Sequence, residues 1–214
     1  MGQNSLNHQF VELYKKLDYI KDHNPDLFNR FRERYGVIDS FRNMRNVLCH
    51  VDNPGEVSEG FYNQLKNMIS IMTTKVENIF TKTNKLYYAS MNSLLDEILD
   101  RMDVMNFSFV PILDDGGHIL GVISEKTILS ILEKDTDCIH TGKKVSECMS
   151  YFELDNNPNY FYAFVGRNEL AIDTKDMFTD ERNGKRCGLA FITESGKSSE
   201  AVLGIVNAWD LLKI

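Results

Sequence analysis

A chain of 214 residues has room for one large or two small domains, and its 43% hydrophobic and 26% charged residues are the make-up of a soluble globular protein. No apolar run reaches the roughly 18–20 residues needed to cross a bilayer, and MGQNSLNHQF lacks the layout of a secretion signal, so no membrane association and a cytoplasmic location are expected. The net charge of −7 is unevenly shared: residues 1–84 carry 11 Lys and Arg against 10 Asp and Glu, and residues 85–214 carry 13 against 21. An acidic second part excludes a broad DNA-binding surface there while leaving room for one nucleotide in one cleft. Cys49, Cys138, Cys148 and Cys187 form no CxxC pair and are expected as free thiols.

The first 84 residues are expected to be all-helical. Phe10, Leu13, Tyr14, Leu17 and Ile20 fall at helical spacing, and Asn24-Pro25 ends that helix and starts another over 25–35, which Gly36 closes. A third helix is expected over 39–50, before the strong stop Asp52-Asn53-Pro54-Gly55. The fourth and longest is expected over 57–83, on a stripe of Leu65, Met68, Ile69, Met72, Val76, Ile79 and Phe80. Connections this short favour an antiparallel four-helix bundle.

Inside the third helix, Arg45-Asn46-Val47-Leu48-Cys49-His50 resembles the Arg-Asn-x-x-x-His signature of HEPN domains, small helical bundles that dimerise and in many members cut RNA without a metal. The resemblance implies that Arg45 binds phosphate, Asn46 orients the site and His50 transfers a proton on a ribose 2′-hydroxyl, with RNA as the partner. The residue types suit that chemistry, since histidine titrates near neutral pH and guanidinium pairs bidentately with phosphate. Arg30, Arg32, Arg34, Arg42 and Arg45 stand against only Glu33 and Asp39 in the same stretch. A bland reading competes: a histidine in a last helical turn is favoured by the macrodipole alone. Five positions also turn a helix by about 140°, so Arg45 and His50 reach one ligand only at a helix end or across a dimer.

From residue 85 the pattern changes. A short strand is expected over 86–90, then a helix carrying Leu94, Leu95, Ile98, Leu99, Met102 and Met105, capped by Asn92 or Ser93. The apolar run 107–113, the turn Asp114-Asp115-Gly116-Gly117 and the apolar run 119–123 predict a hairpin, and Ser124 caps an amphipathic helix on which Ile128, Leu129, Ile131 and Leu132 repeat at helical spacing. A polar linker spans 135–143. Beyond it the order recurs: a strand over 160–165, a helix over 169–180, a polar connection over 180–185, apolar runs over 189–192 and 201–206, and a short helix from Ala208. Leu120-Gly121-Val122-Ile123 aligns without a gap on Leu203-Gly204-Ile205-Val206, so one β-α-β-β-α unit occurs twice, over 85–140 and 141–214. The expected fold class is α+β, a helical bundle followed by two such repeats.

Val110-Pro111-Ile112-Leu113-Asp114 with Gly121-Val122-Ile123-Ser124, and Gly204-Ile205-Val206 with Trp209-Asp210-Leu211-Leu212, resemble the CBS domain. That domain occurs in tandem pairs that pack together and often bind adenine nucleotides between them. Val145-Ser146-Glu147-Cys148-Met149 resembles the lead-in to a second copy. Nucleotide-binding members carry Gly-apolar-x-Thr/Ser-x-x-Asp across the last strand and the helix start, where free backbone N–H groups favour an anion. Neither copy is complete: Gly121, Ser124 and Thr127 lack the carboxylate, and Gly204, Asn207 and Asp210 lack the hydroxyl. The resemblance implies a ligand cleft drawing on Ala89, Val110, Ser124, Thr127, Asn207 and Asp210, with the Asp210 side preferred. As a plain alternative, Ser124 and Asn207 are helix caps and Asp210 a first-turn acid.

The sequence therefore carries three functional readings. In the first, a homodimeric regulatory sensor takes a nucleotide of the AMP, ADP or ATP class as regulatory ligand, requires no cofactor or metal, and signals to the helical domain. The second is a metal-independent ribonuclease or RNA-binding protein using Arg45, Asn46 and His50 under control of the repeats. The third is a dimerisation scaffold that binds nothing.

Overall fold

Ser5, Asn24 and Ser58 each place a side-chain oxygen over a free N–H of the following helix, and so set where three of the N-terminal helices begin. The computed structural model describes residues 5–134 and 142–213. The chain divides into two units, Met1–Thr74 and Lys75–Ile214. The first holds α1 (Leu6–His23), α2 (Pro25–Tyr35), α3 (Val37–His50) and α4 (Glu59–Thr73). Helix α1 packs against the other three. Its buried stripe is Phe10, Tyr14, Leu17 and Ile20, at the expected spacing. The rings of Phe10, Phe41 and Phe61 cluster with centroids 5.0–6.4 Å apart.

Helix α4 is shorter than its apolar stripe predicts. It stops at Thr73 because the hydroxyls of Thr73 and Thr74 donate to the carbonyls of Ile69 and Ser70, at 2.8 and 2.7 Å, and Thr74 turns extended. Val76, expected on that stripe, is fully buried in the second unit with Val165, Ala190 and Ile192. Hydrophobic spacing could not distinguish a helix that continues from a new segment that needs the same apolar residues for another core.

The second unit contains β1 (Thr81–Lys82), α5 (Leu95–Met105), β2 (Phe109–Leu113), β3 (Ile119–Ser124), α6 (Glu125–Lys134), β4 (Tyr160–Gly166), α7 (Ala171–Thr179), β5 (Glu181–Arg182), β6 (Lys185–Thr193) and β7 (Gly204–Val206). The repetition is real in three dimensions. Strands β2 and β3 pair antiparallel, as do β6 and β7, and β4 lies parallel to β6. The counterpart of β4 in the first copy is only a bridge, Ala89 to Ile112, in place of the expected strand over 86–90. Ala89 donates to the Pro111 carbonyl and accepts from the Leu113 N–H, and the next rung would need an N–H that Pro111 lacks.

Other local expectations are corrected. Helix α5 starts after Leu94 with no side-chain cap, because Ser93 instead accepts from the Ser90 N–H at 2.9 Å. The polar connection over 180–185 is a two-residue hairpin between β5 and β6, turned by Asn183 (φ 53°) and Gly184 (φ 74°), the residue pair such turns prefer. The final helix is one 3-10 turn, Asp210–Lys213. Cys148 is disulfide-bonded rather than free, Cys49 and Cys187 are free, and Cys138 lies outside the described residues.

Each copy is completed by the segment that precedes the other. Residues 76 and 77, ahead of the first copy, donate to the carbonyls of Glu169 and Arg167 in the second, and β1 then pairs with β7. Residues 145 and 146, ahead of the second copy, donate to Ser93 and Met91 in the first, and the Phe152 carbonyl then accepts from the Val122 N–H at 2.8 Å. The aligned glycines sit where these crossings occur: a Cβ on Gly121 would strike the Phe152 carbonyl, and one on Gly204 the Thr81 carbonyl. Between the copies, Leu113 and Val122 pack against Leu189, Phe191 and Ile205 in one core. Each such side chain contributes about 1.5–3 kcal/mol by leaving water.

Gly121→Ala and Gly204→Ala should each lower stability by about 1–3 kcal/mol, because the colliding atom is backbone and cannot swing aside. Gly60→Ala, on α4 with open space around it, should be neutral or stabilising by up to about 1 kcal/mol. Urea unfolding of the three variants checks the contrast, and equal effects would sink it.

Candidate functional site

A cavity of about 500 Å³ in the second unit lies where β1 and the segment 106–109 of the first copy face β6 and the end of β7 in the second. Its wall is aromatic and cationic. Tyr87 and Phe107 stack with centroids 6.2 Å apart, and Phe109 meets Tyr160 edge-on at 5.1 Å. Trp209, the single tryptophan, stands on the rim at 75% exposure. Two cations join them: Lys85, exposed and without a partner among the described residues, and Arg186, whose Nε holds Glu181 at 3.1 Å. Flat faces beside positive charge can hold a planar ring through stacking and an attached anion through ion pairing.

Of the residues expected to bind a ligand, Asn207 alone lines this cavity. Its Oδ1 accepts from the N–H groups of Trp209 and Asp210, at 2.8 and 3.1 Å, while Asp210 Oδ2 accepts from the Asn207 N–H at 3.1 Å. The pair forms a reciprocal cap on the last 3-10 turn. Asp210 is 7% exposed and stands behind the wall, not in it. Asn207 lines the cavity, and its Nδ2 has no partner among the described residues.

The matching position of the first copy is closed. Ser124 and Thr127 are buried and bond to one another at 2.7 Å. Asn157 donates from Nδ2 to Thr127 Oγ1 at 3.0 Å and to the Tyr162 hydroxyl at 2.9 Å, and accepts from the N–H groups of Asn159 and Tyr160. An internal amide thus occupies the hydroxyls that a ligand would use. Burial pushes the Tyr162 phenol above its usual range, so it stays protonated in this network. Ala89 and Val110 are buried in the core of the first copy rather than in the cavity wall.

In the first unit the structure brings together two of the three residues of the Arg-Asn-x-x-x-His pattern. Arg45 donates to Asn46 Oδ1 at 3.0 Å and pairs with Asp18 at 3.4 Å. Both line a second cavity, of about 190 Å³. His50, five positions on, is exposed at the end of α3 and is not part of that wall.

Sequence reading missed the aromatic wall. Tyr87, Phe107 and Tyr160 lie in three different segments, and only folding brings them together. Trp209 carried the best available signal, as the single tryptophan inside the second copy's motif.

Residues 70–134 match the model of the CBS domain. Curated proteins gave no match. Among solved structures, the chain is similar to a functionally unknown conserved protein domain from Neisseria meningitidis MC58, with 13% identity over 72% of this chain and 87% of that one, at a TM-score of 0.51. It is also similar to the CBS domain of the bacterial CNNM/CorC family Mg2+ transporter in complex with the inhibitor IGN95a, with 18% identity over 80% of this chain and 94% of that one, at 0.50. The same transporter domain in complex with ATP aligns at 0.49, with 18% identity over 70% and 92%. Residues 70–134 are therefore a CBS domain, within a fold that combines helices and sheets. Among the described residues no helix is long and apolar enough to cross a membrane.

Cys187 lines the larger cavity at 7% exposure, and burial pushes its thiol up to about 11. Because the thiolate is the reactive form, Cys187 should resist iodoacetamide at pH 7.5 in the native protein while exposed Cys49 is alkylated, and unfolding should release it. Peptide mass spectrometry distinguishes the two, and native labelling of Cys187 as fast as Cys49 would contradict its burial.

Proposed function

We propose that residues 75–213 are a regulatory module that binds an adenine nucleotide in the 500 Å³ cavity and signals its occupancy to the helical unit. One observation carries the reading: stacked and edge-on aromatic side chains, two cations and the Asn207 amide converge on one open cavity of nucleotide size. The adenine stacks among Tyr87, Tyr160 and Trp209, and the phosphate meets Lys85 and Arg186. Asn207 donates to the sugar or phosphate, and Asp210 acts indirectly by holding the Asn207 turn. The resemblance of both copies to paired CBS domains supports the ligand class.

Charge narrows the choice. One unpaired lysine and one arginine already facing Glu181 suit a monophosphate better than a triphosphate, in a region that carries 13 basic against 21 acidic residues. AMP is the preferred ligand on that count. Thr81 of β1 lines the cavity and lies only a short chain segment beyond the end of α4, which gives a covalent route from ligand to helices. Exposed Val104, Met105, Leu129 and Leu132 on α5 and α6 support pairing of two copies.

Because Trp209 is the single tryptophan, its emission reports on this pocket alone. Titration with AMP should change it saturably, AMP should bind more tightly than ATP, and Tyr87→Ala should weaken AMP at least about fivefold, the low end of the ~1–3 kcal/mol lost with a stacked base. No change with AMP, ADP or ATP at millimolar concentration would reject the reading.

A further inference from the structure

The second cavity, of about 190 Å³ in the helical unit, is assembled from one stripe on each of three helices. Tyr14, Asp18 and Lys21 repeat at i, i+4 and i+7 on α1, Phe28 and Arg32 at i and i+4 on α2, and Asp39, Arg42 and Arg45 at i, i+3 and i+6 on α3. Four cations face two carboxylates. Arg45 is held from three sides, by Asp18 at 3.4 Å, by Asn46 at 3.0 Å and by the Tyr14 ring at 5.5 Å, which fixes its guanidinium before any ligand arrives. Arg32 meets both oxygens of Asp39 through its Nε alone, at 3.0 and 3.2 Å. Lys21 and Arg42 are exposed on the rim and have no ion pair among the described residues. Two rim cations with no counter-charge, beside a guanidinium already locked in place, leave positive charge that an anion would satisfy.

We infer that this cavity is a phosphate-binding site that takes the phosphomonoester group of a small molecule, separate from the nucleotide pocket of the CBS repeats. Its volume is below the roughly 300 Å³ at which pockets begin to enclose a drug-sized ligand, so it holds the phosphoryl group and leaves the rest of the molecule outside. Phosphate fits better than carboxylate, because three guanidinium groups offer forked donors to a tetrahedral dianion. A small molecule fits better than a polyanion. Residues 1–84 carry 11 basic against 10 acidic residues, so the unit has almost no excess positive charge with which to track a nucleic-acid backbone.

The test is calorimetric titration of the intact chain with inorganic phosphate and with ribose 5-phosphate. Arg42→Gln is the diagnostic variant, since Arg42 is exposed and its loss leaves the Arg45 contacts and the fold intact. Binding should weaken by at least about tenfold in Arg42→Gln, about 1.4 kcal/mol, and should persist in Lys85→Gln, which removes a cation from the other pocket. Ribose itself should not bind. Absence of phosphate binding, equal affinity in Arg42→Gln, or loss of binding in Lys85→Gln would each overturn the assignment. Binding of a 5′-phosphorylated oligonucleotide with none of ribose 5-phosphate would overturn it in favour of an RNA site.

Discussion

The second unit depends on two backbone crossings at which no side chain fits. The Phe152 carbonyl lies over Gly121 and the Thr81 carbonyl over Gly204, and in each case the crossing strand comes from the segment ahead of the opposite repeat. Neither repeat finishes its own sheet edge. The exchange gives each copy the hydrogen-bonded neighbour that a lone repeat would leave exposed, and so makes the pair, rather than the copy, the stable unit. It also places β1 beside the end of β7, and that junction forms one wall of the larger cavity.

The pair is pseudo-symmetric in backbone but not in chemistry. At the first copy, Asn157 is buried with its amide donating twice and its carbonyl oxygen accepting twice, so the Ser124 and Thr127 hydroxyls are spent on the protein itself. At the second copy, the residue aligned with Ser124 is Asn207, which spends its oxygen on its own turn and lines the cavity. A buried polar group without a partner costs about 1–3 kcal/mol, so a closed network at one site is as stable empty as any core. The first site is therefore filled by an amide from elsewhere in the chain, and the second has no such insert among the described residues.

The repeat was legible in the sequence because the glycine crossing forces the same apolar-Gly-apolar-apolar run on both copies. The hairpin of β2 and β3 was legible for the same reason as most hairpins, a turn cluster between two apolar runs. What the sequence hid were places where one pattern serves two structures. Val76, Ile79 and Phe80 continue the helical stripe of α4, yet they belong to the core of the second unit. Lys75-Val76-Glu77 has the same form as Lys144-Val145-Ser146, and Val76 and Val145 are each fully buried in the opposite repeat's core. That likeness was available, and the helical periodicity masked it. Asn183-Gly184, inside the polar connection expected over 180–185, is a hairpin signal whose short flanking strands carry charged rather than apolar residues. Asp210, expected as the carboxylate of a binding motif, caps the turn of Asn207 and does not line the cavity, a geometry that only the folded turn reveals.

The short segment from Thr74 to Lys82 carries several of these functions at once. Thr74 ends α4, Val76 fills a core, Thr81 walls the cavity, and Lys82 pairs with Gly204. A residue series this constrained has few ways to move, and a ligand against Thr81 acts on the same covalent strand that leaves the helical unit. Such a ligand shifts the helices only by as much as it prefers one arrangement of this segment over another, which for coupled sites is typically about 1–3 kcal/mol. Tight binding alone transmits nothing. On the proposed reading, the placement of β1 in the cavity wall, rather than the size of the cavity, is therefore what would make the pocket a regulatory one.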